Sequence, residues 1–295
     1  NNGWQYIDSG GSATDTTVNG GWQDINSGGS ATDTTVNGGG QYINSGGSAT
    51  DTTVNGGGQY IYSGGSATDT TVNDGSQDIY SGGSATSTTI NSGGIQYVSS
   101  GGSATDTTVN GGYQDIYSGG SATSTTINSG GSQFVSSGGS ATSTTINSGG
   151  YQYVSSGGSA TSTTINGGGY QSVSSGGSAT DTIINSGGIL GVSGGGTAVD
   201  ITQNSGGAIS ADTSAALSGT NINGSFSIAN GSASNMLLEN GGYLAVLNGH
   251  QATDTTINRG GNQYVSSGGS ATSTTINNGG YQYVSSGGSA TDTTV

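Results

Sequence analysis

A glutamine recurs through this chain at intervals of 18 or 19 residues, and that period limits the fold more than any other feature. It stands at Gln5, Gln23, Gln41, Gln59, Gln77, Gln96, Gln114, Gln133, Gln152 and Gln171, and again at Gln263 and Gln282. Self-similarity at such a period marks a repeat architecture. The first unit runs from Gly3 to Gly20, with glycine pairs at Gly10-Gly11 and Gly20-Gly21. Glycine reaches positive φ without steric cost, so each pair predicts a turn. The runs between them hold Val, Ile, Thr and Tyr, which are strand formers. A unit this short matches one coil of a parallel β-helix, stacked on the next at about 4.8 Å. The expected fold is all-β, a solenoid of about 16 coils and on the order of 75 Å long at that spacing. Because each coil touches only its neighbours, stability is roughly additive along the stack.

Three stretches are expected within a single continuous domain. Residues 1–185 hold regular coils, 186–258 degenerate coils of the same helix, and 259–295 regular coils again. In the middle stretch Leu190, Ile209, Phe226, Met236, Leu237, Leu238, Leu244 and Leu247 raise the apolar content. The plain reading is repeat decay with better packing. The functional alternative is a kink or contact point. The chain begins and ends inside a repeat, so both ends look cut.

Side chains alternate between the faces of a strand. Ile7, Val98, Val135 and Val154 share one repeat position and are expected inside. The Gln lies two residues earlier, and in degenerate units Leu190 and Leu244 take its place. An apolar replacement puts the Gln inside too, as a hydrogen-bonded ladder between coils. Thr16 and Val18 share an inner face by the same logic, since Ile201 and Met236 replace the threonine. The position of Tyr6, Asp24, Tyr97 and Ser172 is expected outside. Asp15, replaced by Ser87, Ser124, Ser143 and Ser162 elsewhere, is expected in a turn, which would let Ala13 point inward.

Composition removes several function classes. Among 295 residues there are 63 Gly, no Pro and no Cys. Collagen needs Gly at every third residue and is excluded. The formal charge is −15 and Arg259 is the single basic residue, so phosphate neutralisation on nucleic acid and docking on an anionic membrane are both out of reach. No disulfide framework or cysteine metal site is possible, and no hydrophobic run is long enough for a membrane helix. His250 and Glu239 are the only His and Glu. They assemble no nucleophile, base and orienting group, so no catalysis and no cofactor are expected. Polysaccharide-acting β-helix enzymes need clustered carboxylates, whereas here the repeat spreads the Asp residues. The run from Gly10 to Asp15 is close to the nonapeptide calcium repeat, but Ala13 stands where a third Gly belongs and Ser often replaces Asp15. A threonine array for ice is undone by the turn between Thr14 and Thr16.

Serine beside the first glycine pair is the remaining distinctive feature. Ser9, Ser27, Ser45, Ser63, Ser81, Ser100, Ser118, Ser137, Ser156, Ser175, Ser267 and Ser286 precede the pair. Ser12, Ser30, Ser48, Ser66, Ser84, Ser103, Ser121, Ser140, Ser159, Ser178, Ser270 and Ser289 follow it. Turn chemistry favours serine, yet Asn or Asp would serve as well. Stacked coils align these hydroxyls along one edge, a regular template for a modifying enzyme.

The unit Ser-Gly-Gly-Ser-Ala-Thr-(Asp/Ser)-Thr-Thr-(Val/Ile)-Asn-(Ser/Gly)-Gly-Gly-x-Gln-x-(Val/Ile) resembles the passenger repeats of the AIDA/TibA family of self-associating autotransporter adhesins. The resemblance covers nearly the whole chain and extends to order and spacing. It implies a right-handed parallel β-helix carried to the bacterial surface by a C-terminal outer-membrane barrel that this chain does not contain. It further implies adhesion to host cells, autoaggregation and biofilm growth. O-linked heptose on serine, added by a cytoplasmic heptosyltransferase before export, is also implied, with the two serine sets as candidate acceptors. The expected partners are that transferase, the host cell surface and copies of the chain on neighbouring cells. An unmodified spacer displaying a distal binding module is the alternative.

Overall fold

The computed structural model describes residues 2–295, which form strands, turns and bends. They fall into two compact units, the first ending at Thr144 and the second running from Thr145 to Val295.

A coil of the first unit consists of three short strands, such as Trp22–Ile25, Ser30–Thr32 and Thr35–Val36. Each pairs in parallel with its equivalent one repeat later. Gln23 lies opposite Gln41, Ala31 opposite Ala49 and Val36 opposite Val54. Like therefore stacks on like. Eight coils are marked by the Gln-bearing strand, from Trp4–Ile7 to Ser132–Val135. The interior of a coil is Ile25, Ala31, Val36, Gln23 and Thr34, all buried. A corner separates the last two strands, where Asp15, Asp33 and Asp51 adopt φ +54° and Ser87 and Ser124 +57°. Asp and Asn enter this left-handed region more readily than other L-residues, which explains why Asp is frequent there. The corner resets the alternation, so Ala31 and Thr34 both point inward while Thr32 stays half-exposed.

The buried glutamines form the expected ladder. Gln23 Nε2 donates to Gln5 Oε1 at 2.8 Å, Gln41 to Gln23 at 2.7 Å and Gln96 to Gln77 at 2.6 Å. Each Oε1 also accepts from a threonine hydroxyl of its own coil, as in Thr34 to Gln23 at 3.2 Å and Thr88 to Gln77 at 3.0 Å. A buried polar group costs little only when it is bonded, and this arrangement bonds the amide oxygen twice. A second ladder runs outside: Asn37 Nδ2 donates to Asn19 Oδ1 at 2.8 Å and Asn73 to Asn55 at 2.8 Å.

The second unit is built on the same plan, with seven Gln-position strands from Tyr151–Val154 to Tyr281–Val284. Its ladder runs from Gln171 to Gln152 at 2.6 Å and is then interrupted, because Leu190 pairs with Gln171 and Ile209 with Leu190, before it resumes from Gln282 to Gln263 at 2.9 Å. The threonine that would have bonded a glutamine at 190 is replaced as well, by buried Ile201. Acceptor and donor disappear together.

Beyond Ile201 the chain departs from the repeat. Ala216–Asn221 turns back antiparallel along Gly224–Ala229, which turns again onto Ser232–Ser234. Asn230 (φ +50°) and Gly231 (φ +79°) make the second turn, the geometry that closes tight hairpins. Leu217, Phe226, Ile228 and Ala233 are buried beneath this insertion. Spending residues on the hairpin leaves one coil fewer than the repeat length suggests. Parallel stacking resumes after a slip: Leu190 faces Ile209, but Leu244 faces Ala211. A slip of two keeps every side chain on its own face. The exposed ladder adapts too, with Glu239 in an asparagine position, accepting from Asn258 Nδ2 at 3.2 Å and from the Gly206 amide at 2.6 Å.

The outward position holds one surprise. Tyr6 is open to solvent, as expected, but Asp78 in the same column is only 7% exposed. Aromatic rings from neighbouring coils cover it.

Candidate functional site

The serines before the first glycine pair occupy turns closed by one short bond: Gly11 N–H donates to the Asp8 carbonyl at 2.7 Å and Gly29 to Asn26 at 2.8 Å. Further bonds link turn to turn, such as Gly10 N–H to the Gly28 carbonyl at 3.0 Å. In the regular coils both glycines are needed. Gly28 has φ +76°, and a Cβ there would lie 3.0 Å from Ser9 Oγ of the coil before; a Cβ on Gly29 would collide with the Ile7 carbonyl. The hydroxyls of Ser9, Ser27, Ser45 and Ser63 thus rest over the bare glycine of the next coil.

All twelve of these serines are exposed. Those at Ser9, Ser27, Ser45, Ser63 and Ser81 keep negative φ and let the following glycine alone go left-handed. At Ser100, Ser118, Ser137 and Ser156 the serine is left-handed too, with φ between 48° and 53°. In the second unit the row is interrupted, because Gly194 and Asn248 take the place of serine.

The serines after the pair begin a strand. In the first unit Ser12 and Ser30 are register partners, and the row continues without a break to Ser121 and Ser140. In the second unit Ser159 pairs with Ser178, which then faces Thr197, and Ser270 pairs with Ser289. Their exposure is mixed: Ser48 and Ser66 are open, whereas Ser30, Ser84, Ser121, Ser140, Ser178 and Ser270 are half-buried.

A third row escaped the sequence reading. Ser129, Ser148, Ser186 and Ser205 also precede a glycine pair, at the second turn of the 19-residue units, and all are exposed. Their turns close the same way: Gly131 donates to Asn128, and Gly150 to Asn147, each at 2.9 Å. The signal was present in the sequence, since the residue that lengthens these units is often the serine itself.

Chemically, these edges are rows of primary hydroxyls repeated at coil spacing, suited to accept a group from an external catalyst. The chain's His250 takes the place of the second glycine in the coil interrupted at Asn248, its N–H donating to the Leu247 carbonyl at 3.0 Å and its Nδ1 lying 2.8 Å from the Thr213 hydroxyl. Among the described residues no three His, Asp or Glu side chains converge as a metal site requires.

Coil, ladder and hydroxyl edge together define a repetitive β-solenoid stalk. The family model described as "adhesin of bacterial autotransporter system, probable stalk" matches residues 54–94, 80–131, 100–150, 118–169 and 218–280, and the chain belongs to that family, AIDA. A 41-residue segment is 85% identical to the autotransporter CRAC of Citrobacter rodentium, covering 14% of this chain and 3% of that protein. A 42-residue segment is 79% identical to the autotransporter adhesin/invasin TibA of Escherichia coli, covering 14% of this chain and 4% of that one. The matched segments are thus a small fraction of those relatives' lengths. The crystal structure of a hyper-glycosylated fragment of TibA, its glycosylation catalysed by TibC, is similar at a TM-score of 0.68 and 43% identity. That match covers 98% of this chain and 94% of the fragment. As a stalk of this family, the chain is an exported passenger at the surface of the bacterial outer membrane and is not an enzyme.

Proposed function

We propose that this stalk serves adhesion to host cells, autoaggregation and biofilm formation, and that its turn serines carry O-linked heptose. The carrying observation is the row that begins Ser9, Ser27, Ser45, in which every member is exposed. A sugar attached in the cytoplasm, before the chain folds outside the cell, must end where folding does not bury it. All twelve serines before the glycine pair meet that condition, and about half of those after it do so. The TibA fragment, similar along nearly its whole length, is described as hyper-glycosylated by TibC, which supports a heptosyltransferase as partner. Self-association would proceed side by side through exposed Asn, Thr and Asp groups, with few like charges to bring together.

The test is the intact mass of the chain made with and without a heptosyltransferase of this family, followed by peptide mapping. Increments of heptose mass on the serines before the glycine pairs, the third row included, support the reading. A single unmodified mass in both preparations would leave a bare spacer. Aggregation of cells displaying the chain, against cells displaying an unrelated β-solenoid, tests the adhesive part separately.

A further inference from the structure

On the outer face of the Gln-bearing sheet in the first unit, one column reads Tyr60, Asp78, Tyr97, Asp115, Phe134, each in register with the next. Aromatic rings from flanking columns close over the two acids. Tyr62 and Tyr80 stack at 5.3 Å and Tyr113 meets Phe134 at 6.1 Å. Asp78 is satisfied in part, its Oδ2 accepting from Ser76 Oγ at 2.8 Å. Asp115 Oδ1 is shut off from water and has no hydrogen-bond partner among the described residues. It borders a cleft of about 320 Å³ lined by Ile95, Tyr113, Tyr117, Phe134 and Ser136. Burial pushes both carboxyls above their usual range. The Tyr80 phenol is pushed up to about 12, first by burial and then by facing Asp78.

An unpaired buried carboxylate oxygen is costly, and the fold does not demand one, since Ser172 fills the same repeat position. What the site lacks is a cation. An ammonium or guanidinium seated in the cleft would balance the charge of the Asp115 carboxylate that lines it, and the Tyr113, Tyr117 and Phe134 rings would attract it through their π faces. The chain cannot supply that group itself, because Arg259 is its one basic residue and lies in the other unit. We propose that the Asp115 cleft binds a single lysine or arginine side chain of a basic partner peptide. A formal charge of −15 steers such a partner toward the face. Neutral sugars also stack on aromatic rings and their hydroxyls donate to carboxylates, but they carry no positive charge to balance a desolvated one. This inference does not depend on whether the serines are glycosylated.

The test is calorimetric titration of the unmodified 295-residue chain with a six-residue peptide bearing one central Arg. Its Gln-substituted counterpart and a neutral oligosaccharide are run beside it. The expected result is binding by the Arg peptide alone, weakened by salt, and about tenfold weaker in Asp115→Asn. Asp115→Ser, which mimics the coil of Ser172, should lose affinity equally and serves if the Asn variant fails to fold. Unchanged affinity in a folded Asp115 variant overturns the proposal. So does heat from the neutral oligosaccharide with none from the Arg peptide.

Discussion

At Gln77 the interior of a coil is a hydrogen bond, and at Leu190 it is a methyl contact. The two have opposite consequences for their neighbours. Gln77 bonds Gln59 before it, Gln96 after it and Thr88 within its own coil. Its identity is therefore imposed by three other residues and imposed on them in turn. Leu190 asks only for apolar volume, which Gln171's stem, Ile201 and Ile209 supply regardless of register. The ladder coils repeat almost without variation, and the leucine coils tolerate a hairpin and a slip of two residues. Strict repetition here follows from the demands of buried polar bonding.

Substituting within the ladder should produce the largest effect. Gln77→Ala orphans the Gln96 amide and the Thr88 hydroxyl and leaves a cavity, so urea unfolding should show a loss of about 4 kcal/mol. Gln77→Leu paired with Thr88→Val copies the natural Leu190 and Ile201 pair, fills the cavity and removes the orphaned hydroxyl, and should recover the part of that loss that the Gln96 amide does not cause. If Gln77→Leu alone is as stable as the double variant, the coupling between donor and acceptor is broken as an explanation. Next in size is Phe226→Ala, which empties the centre of the hairpin. A cost of about 3 kcal/mol is expected, with faster amide exchange confined to residues 216–234. At the corner, Ser124→Asn should gain about 0.5 kcal/mol, because Asn occupies the left-handed region more readily. The smallest effect concerns pH. Asp78 and Asp115 bind their protons more tightly folded than unfolded, because burial raises them above the ordinary 3.8. Their contribution to stability is thus full below about 3.8 and is lost as pH rises through the raised values. Melting curves of the parent and of the Asp78→Asn, Asp115→Asn double variant should converge in acid and separate in the variant's favour toward neutrality.

Much of the coil was legible in the residues. The buried glutamine was betrayed by Leu190 and Leu244 at its position, and the buried threonine by Ile201 and Met236. The corner at Asp15 was betrayed by its exchange with serine. The hairpin was also written in the sequence, as Asn230-Gly231 between short apolar runs, but the repeat drew attention to what persisted across 186–258 rather than to what interrupted it. Covering of Asp78 was not legible, because it depends on rings from Tyr60, Tyr62 and Tyr80 reaching diagonally across coils. Strand periodicity reports the face on which a side chain begins, and long aromatic side chains end elsewhere. For the candidate site, counting hydroxyls by position in one unit type missed Ser129 and Ser148, since they appear only where the unit lengthens.

Both side-chain ladders point the same way. Gln23 donates back to Gln5, Asn37 donates back to Asn19, and the later rungs of the first unit do likewise. Backbone dipoles in a sheet largely cancel, but these amide dipoles add, as peptide units do along a helix. Within the first unit they give the stack an electrical direction, with its donor pole toward the first coil and its acceptor pole toward the eighth. A solenoid assembled from neutral amides is in this respect a polarised fibre, and two such units laid side by side would attract when antiparallel and repel when parallel.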